Sequence, residues 1–135
     1  MEDYNFAKMT YSTGSLGHRQ TTKEEDLPEN EELMSNAFRV FINEAPKHAQ
    51  AWMTVAKSLD EASVLDKKTE NLAYLSVLAA LGLESGIPFH VIQAKDAGAS
   101  REEVISAVLI GLPAAGNIVT RSLPAAIKAY DSPRG

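Results

Sequence analysis

An all-α fold of about six helices follows from three features of the chain. Apolar residues recur at helical spacing from Pro28 onward, cap signals punctuate the intervals, and no segment alternates apolar and polar as a half-buried strand does. With 135 residues, 44% of them apolar and 23% charged, the chain can build one core of ordinary size beneath a soluble surface.

The elements follow in order. Residues 1–26 carry turn formers and the charge run Lys23-Glu24-Glu25-Asp26 without apolar periodicity, so a flexible acidic arm is expected there, ahead of a helical domain at 27–135. Met1, Tyr4, Phe6, Met9 and Tyr11 would let that arm dock on a neighbouring surface. Leu33, Ala37, Val40 and Phe41 fall at i, i+4, i+7 and i+8, which predicts one face of a first helix ending near Glu44. Pro46 closes that helix and opens a second, with Ala49, Trp52, Met53, Val55 and Ala56 leading to Leu59. Ser63-Val64-Leu65-Asp66 connects to a third helix from Lys67 to about Leu83, roughly 25 Å long, with Asp66 as its N-cap.

The second half of this third helix, Leu72 to Leu83, is apolar on nearly every side. Such a helix must be covered all round, and a body of this size cannot do that alone. The stretch Val104 to Gly116 has the same character, so self-association is expected. A break from Gly82 to Pro88, with Ser85 as a cap and Pro88 in the first turn, starts a fourth helix carrying Phe89, His90, Val91, Ile92, Ala94 and Lys95 as far as Gly98. Ser100-Arg101-Glu102-Glu103 is a capping box for the next. Pro113 interrupts it, and a last helix is expected from Ala114 to Tyr130 with a kink at Pro124.

Charge and composition exclude several roles. Positions 1–33 hold eight acids and three bases, which accounts for the whole net charge of −5. An acidic chain with no basic face is a poor partner for nucleic acid. The apolar run Leu72–Leu83 is shorter than the ~20 residues of a bilayer span, and no secretory signal opens the chain, so a cytoplasmic protein without a membrane partner is expected. The chain has no cysteine, which removes disulfides, thiolate metal sites and thiol redox chemistry.

Catalytic signatures are few. There is no phosphate-binding glycine loop, nucleophile elbow or H-E-x-x-H, and His18, His48 and His90 lie too far apart in sequence to suggest a metal site, so neither metal nor cofactor is expected. The informative stretch is Gly82-Leu83-Glu84-Ser85-Gly86-Ile87-Pro88-Phe89-His90-Val91, followed by Ala94-Lys95-Asp96-Ala97-Gly98-Ala99-Ser100-Arg101-Glu102-Glu103-Val104. A long apolar helix, a short break, a histidine one turn into the next helix and an A-G-A-S-x-E-E turn together resemble the carboxymuconolactone decarboxylase and alkylhydroperoxidase D superfamily. The resemblance covers roughly residues 46–130, including Trp52, the helix start Leu65-Asp66-Lys67-Lys68-Thr69 and the small residues Gly111 to Gly116. It implies a small all-α homo-oligomer, a trimer or hexamer.

The peroxidase branch of that superfamily carries C-x-x-C-x-x-x-H with a glutamate twelve residues before the first cysteine. Anchored on His90, the cysteine positions fall on Leu83 and Gly86 and the glutamate position on Asn71. Leucine and glycine form neither sulfenate nor disulfide, so thiol peroxidase chemistry is excluded on this chain. The decarboxylase branch, which lacks the cysteine pair, implies cofactor-independent acid–base chemistry on a small carboxylated or lactone-like molecule. His90 is then the proton donor, since imidazole titrates near neutrality, and Glu84 in the break is a second acid or a plain loop charge. Arg121 is the leading cation for a substrate carboxylate, ahead of Arg39 and Lys95, and each also reads as a solvated or salt-bridged surface residue. Asn71 and Asn117 read as polar members of an apolar cavity or, equally, as makers of internal hydrogen bonds, with Trp52 and Phe89 as core or pocket wall.

A hydrogen-bonded histidine kept for packing explains His90 as well as a proton donor does. A second reading therefore stays open, an inactive oligomeric binding or scaffold protein of the same fold.

Overall fold

The computed structural model describes residues 33–133. The acidic arm expected at 1–26, its docking residues, His18 and the onset of the helical pattern at Pro28 lie outside the described residues. The chain divides into two compact units, Met1–Ser63 and Val64–Gly135, and all regular structure among the described residues is helical.

In the first unit, α1 (Asn36–Glu44) begins where Ser35 Oγ accepts the Phe38 amide at 3.2 Å. This start is later than the apolar pattern suggests, because the serine cap decides it; Leu33 lies in a turn, and Ala37 and Val40 are exposed. A single residue, Ala45, separates α1 from α2 (Pro46–Ala62). Pro46 sits in the first turn of α2, where its missing N–H costs no helical bond. Ala49 and Met53, one turn apart, are the buried residues of α2, while Trp52, Val55 and Leu59 form an exposed stripe.

The second unit is built around α3 (Lys67–Leu81). Asp66 caps it twice, accepting the Thr69 amide and the Thr69 hydroxyl, each at 2.9 Å. These bonds favour the carboxylate and hold its pKa below the ordinary value. At the other end Gly82 adopts φ 70°, a left-handed conformation closed by Leu83 N–H to Leu78 O at 2.9 Å and Gly82 N–H to Ala79 O at 3.2 Å. This double bond pattern satisfies carbonyls the helix leaves open and stops it two residues earlier than its apolar run suggests.

After a 3₁₀ turn at Glu84–Gly86, α4 (Ile87–Asp96) carries Pro88 in its first turn. Ser85 does not cap it: that N-terminus has no side-chain cap, because the 3₁₀ turn feeds directly into the helix. The expected capping box starts α5 (Arg101–Leu109), with Ser100 Oγ accepting the Glu103 amide at 3.1 Å and Glu103 Oε2 accepting the Ser100 amide at 2.8 Å. The single last helix expected from Ala114 is instead three pieces: α6 (Leu112–Ala115), a 3₁₀ segment Gly116–Ser122 and α7 (Leu123–Asp131). Gly116, at φ 74° and ψ −158°, ends α6 with a conformation only glycine adopts easily. Pro113 and Pro124 both occupy first turns, so they open helices rather than interrupt or kink them.

Leu75, Leu78 and Ala79 of α3 meet Ile87, Val91 and Ala94 of α4, Val104, Ala107 and Val108 of α5, Val119, and Ala126 and Ala129 of α7 in one core. Ser76 Oγ reaches the Ala107 carbonyl at 2.7 Å and so ties α3 to α5. Lys95 Nζ donates to Tyr130 O at 2.6 Å, while Tyr130 Oη donates to Ala99 O at 2.8 Å, fixing α7 across α4. The helical run Arg101–Asp131 is long and apolar enough by composition to cross a membrane. Drawn straight it would extend roughly 45 Å. Its two ends are joined by a two-pronged ion pair, Arg101 to Asp131 at 2.9 and 3.1 Å, so the run is folded back on itself.

Beside the core-facing side of α3, one flank is left open by the described residues. Tyr74, Val77 and Leu81 lie at i, i+3 and i+7 along it, and Val77 and Leu81 are 52% and 63% exposed. A body of this size is not expected to enclose the helix alone, and the described residues leave this flank uncovered.

Candidate functional site

His90 lies one turn into α4, and its ring faces α3. Asn71, one turn into α3 and only 3% exposed, places Oδ1 3.3 Å from His90 Nδ1. The helical spacing that buries Leu75 and Leu78 also turns Asn71 inward, since the three stand at i, i+4 and i+7. Asn71 Nδ2 donates to the Lys67 carbonyl at 2.8 Å. A carbonyl only accepts, so the amide nitrogen must face Lys67 and the amide oxygen must face the imidazole.

Two aromatic rings complete the enclosure. The Tyr74 ring centroid is 4.3 Å from that of His90 and tilted by 43°, and Phe89 meets the imidazole edge-on at 5.0 Å. Burial among these groups pushes the His90 pKa from 6.5 down to about 4, with no charged neighbour to offset it. Burial therefore favours the neutral imidazole at pH 7, and a neutral ring presents a lone pair. Among the described residues its second nitrogen, Nε2, has no hydrogen-bond partner.

Other candidate residues are placed elsewhere. Glu84, in the 3₁₀ turn, pairs with Arg121 at 2.9 Å between Oε1 and Nε, but the N–H does not aim at the oxygen. Arg121 is largely exposed, and no hydrogen bond or ion pair among the described residues joins this pair to His90. Asn117 is exposed and accepts from Thr120 through its backbone carbonyl at 2.8 Å, so it is not a member of a buried cavity. Phe89 is both core and wall of the His90 enclosure. Trp52 belongs to the first unit, where with Phe38, Phe41, His48, Ala51 and Val55 it lines an open apolar hollow of about 510 Å³. Arg39 is exposed on α1, and Lys95 is committed to Tyr130. No cluster of three or more His, Asp or Glu side chains suited to a metal ion occurs among the described residues.

Residues 46–129, well over half of the chain, match the carboxymuconolactone decarboxylase family. The chain belongs to the carboxymuconolactone decarboxylase family. It is a member without cysteine, and the positions that carry sulfur in the peroxidase branch are Leu83, which is half-exposed, and Gly86, which lies against Leu78. No curated protein and no solved structure matches the chain.

For a carboxymuconolactone decarboxylase family protein of this kind, the residue that sequence reasoning misses is Tyr74. It reads as one more apolar position of α3, yet it follows Asn71 by three residues and so shares its face. Ser122 is missed as well; it is fully buried beside Arg121, and its hydroxyl has no partner among the described residues.

Proposed function

We propose that this protein carries out cofactor-independent acid–base chemistry on a small carboxylated or lactone-like molecule, with His90 as the residue that handles the proton. One observation carries the reading: a mostly buried, neutral imidazole has one nitrogen bonded to Asn71 and the other without a partner among the described residues. The unpartnered nitrogen is not among the fully buried polar atoms without a partner, so a ligand can reach it from solvent.

Nε2 takes a proton from an acidic position of the substrate and returns it to a carbon of the same molecule, so the ring is neutral before and after. Desolvation acts on the two halves of the step in opposite directions. It makes the ring a weak base, suited only to a substrate position that is itself acidic. It also makes the imidazolium beside Phe89 and Tyr74 a strong acid that returns the proton readily. In this reading the exposed Arg121 exchanges its imperfectly aligned contact with Glu84 for a substrate carboxylate, and Glu84 is then released as a second acid–base group. In the same proposal the protein works in the cytoplasm as a trimer or hexamer, whose subunits cover the open Tyr74–Val77–Leu81 face.

A binding or scaffold role is the second reading, favoured because no charged neighbour among the described residues acts on His90 and because Arg121 pairs with Glu84. The test is turnover of lactones and keto acids by wild type and His90→Ala. The proposal expects wild-type turnover that the substitution abolishes. Full activity in His90→Ala overturns it, and ligand binding without wild-type turnover establishes the second reading.

A further inference from the structure

We infer that Asn71 is the positioning residue that fixes the tautomer of His90, holding the hydrogen on Nδ1 and leaving the Nε2 lone pair for a ligand. The inference rests on the reading of His90 as the proton-handling residue, but its geometry stands without a substrate.

Donors and acceptors decide the orientation. The Lys67 carbonyl accepts at 2.8 Å from an Asn71 atom that must therefore be the amide nitrogen. The remaining atom, Oδ1, accepts only, and it sits 3.3 Å from His90 Nδ1. A hydrogen bond across that gap requires Nδ1–H, and a neutral imidazole then carries its lone pair on Nε2. The opposite tautomer would set a lone pair against the amide oxygen in a low-dielectric enclosure, where an unmade bond costs most. Asn71 is itself held from below, since it is buried and anchored to its own helix one turn back. A side chain so restrained imposes an orientation on its partner and does not follow it.

The chemistry follows from this arrangement. Proton pick-up and return both occur at Nε2, on the side of the ring away from Asn71. The asparagine also constrains the charged form, because an amide oxygen stabilises imidazolium less than a carboxylate would. Asn71 thus orients His90 without adding charge, and burial keeps the ring neutral, whereas an aspartate in its place would orient the ring and charge it.

The test uses full-length protein labelled with ¹⁵N-histidine, read by two-bond ¹H–¹⁵N correlation, with His90 assigned by comparison with His90→Gln. Wild type is expected to show a pyrrole-like Nδ1 and a pyridine-like Nε2 at neutral pH. Asn71→Leu is expected to lose this preference, and Asn71→Asp to keep Nδ1–H while raising the His90 pKa above its wild-type value. On any substrate turned over, Asn71→Leu should lower kcat by about 10- to 100-fold, the effect usual for outer partners of working histidines, with KM little changed.

A pyridine-like Nδ1 in wild type overturns the inference, and so does an unchanged tautomer in Asn71→Leu. The wild-type spectrum needs no variant to fold, so the first outcome is always readable. If the tautomer behaves as expected while His90→Ala retains full turnover, the functional proposal fails and the positioning role of Asn71 stands.

Discussion

Acid should destabilise this protein through His90 before most of its carboxylates protonate. In the unfolded chain the imidazole titrates near 6.5, whereas in the fold burial lowers its pKa to about 4. Between these values the unfolded state binds the proton and the native state refuses it, so stability falls as pH drops. The contribution is fully present above about 6.5, declines through the interval and levels off below about 4. At ~1.4 kcal/mol per pH unit, the full interval is worth about 3 kcal/mol. That is a large part of the 5–15 kcal/mol by which a domain of ordinary size is stable.

The carboxylates of Asp66, Glu103 and Asp131, whose pKa values are lowered by their hydrogen-bond partners Thr69, Lys68 and Arg101, act in the same direction but lower on the pH scale. They are present in both wild type and His90→Gln, so the difference between the two proteins isolates the imidazole. Urea unfolding of both, at one protomer concentration and across this range, should show wild type losing about 3 kcal/mol more than the variant. Parallel stability curves, or a His90 pKa measured by NMR near its unperturbed value, would refute the reasoning.

Two further predictions concern the frame around the site. Gly82→Ala forces a side chain into a left-handed residue, which costs about 1–2 kcal/mol, and its Cβ would come 3.2 Å from Ile118 Cδ1. Gly98→Ala, at φ 96° with nothing within 4 Å of the added methyl, should destabilise through the backbone alone, since that angle lies beyond the left-handed well that Gly82 occupies. Chemical denaturation reads both, and no effect at Gly82 would contradict its role as the helix stop. For assembly, sedimentation should give wild type a multiple of the 14.6 kDa protomer mass. Val77→Lys with Leu81→Lys, on the open face of α3, should return it to the protomer; a monomeric wild type would dismiss that face as a subunit contact.

What is legible in the sequence is what neighbouring residues decide. Asp66 and the Ser100–Glu103 box each act within a few positions, through bonds whose geometry is local, and each stands where spacing puts it. The last helix is misread from sequence because Pro113 and Pro124 look like interruptions when counted along an apolar run. In the fold each is a first-turn residue, and the break between them is made by Gly116, whose backbone angles leave no mark beyond the residue's identity. The same limit governs the candidate site. His90 is visible from its motif, and Phe89 adjoins it in the chain, but Tyr74 becomes a neighbour of His90 only when α3 and α4 pack.

Asn71 shows how a vacancy in a motif can misdirect. Counted against the peroxidase pattern, it is the place where an acid is missing, and its loss argues for decay of the site. In three dimensions the same asparagine makes the one hydrogen bond to the imidazole seen among the described residues. A carboxylate there would attract a proton onto the ring and raise its pKa, as suits a group that must give protons away at neutrality. An amide orients the ring without adding charge, and the surrounding Tyr74 and Phe89 then keep it neutral. With no cysteine on the chain, the enclosure has no thiol to activate, and what it holds is an oriented, neutral imidazole. The amide at position 71 and the absence of sulfur are therefore both compatible with the proposed role of His90, in which a weakly basic ring serves only an acidic substrate position.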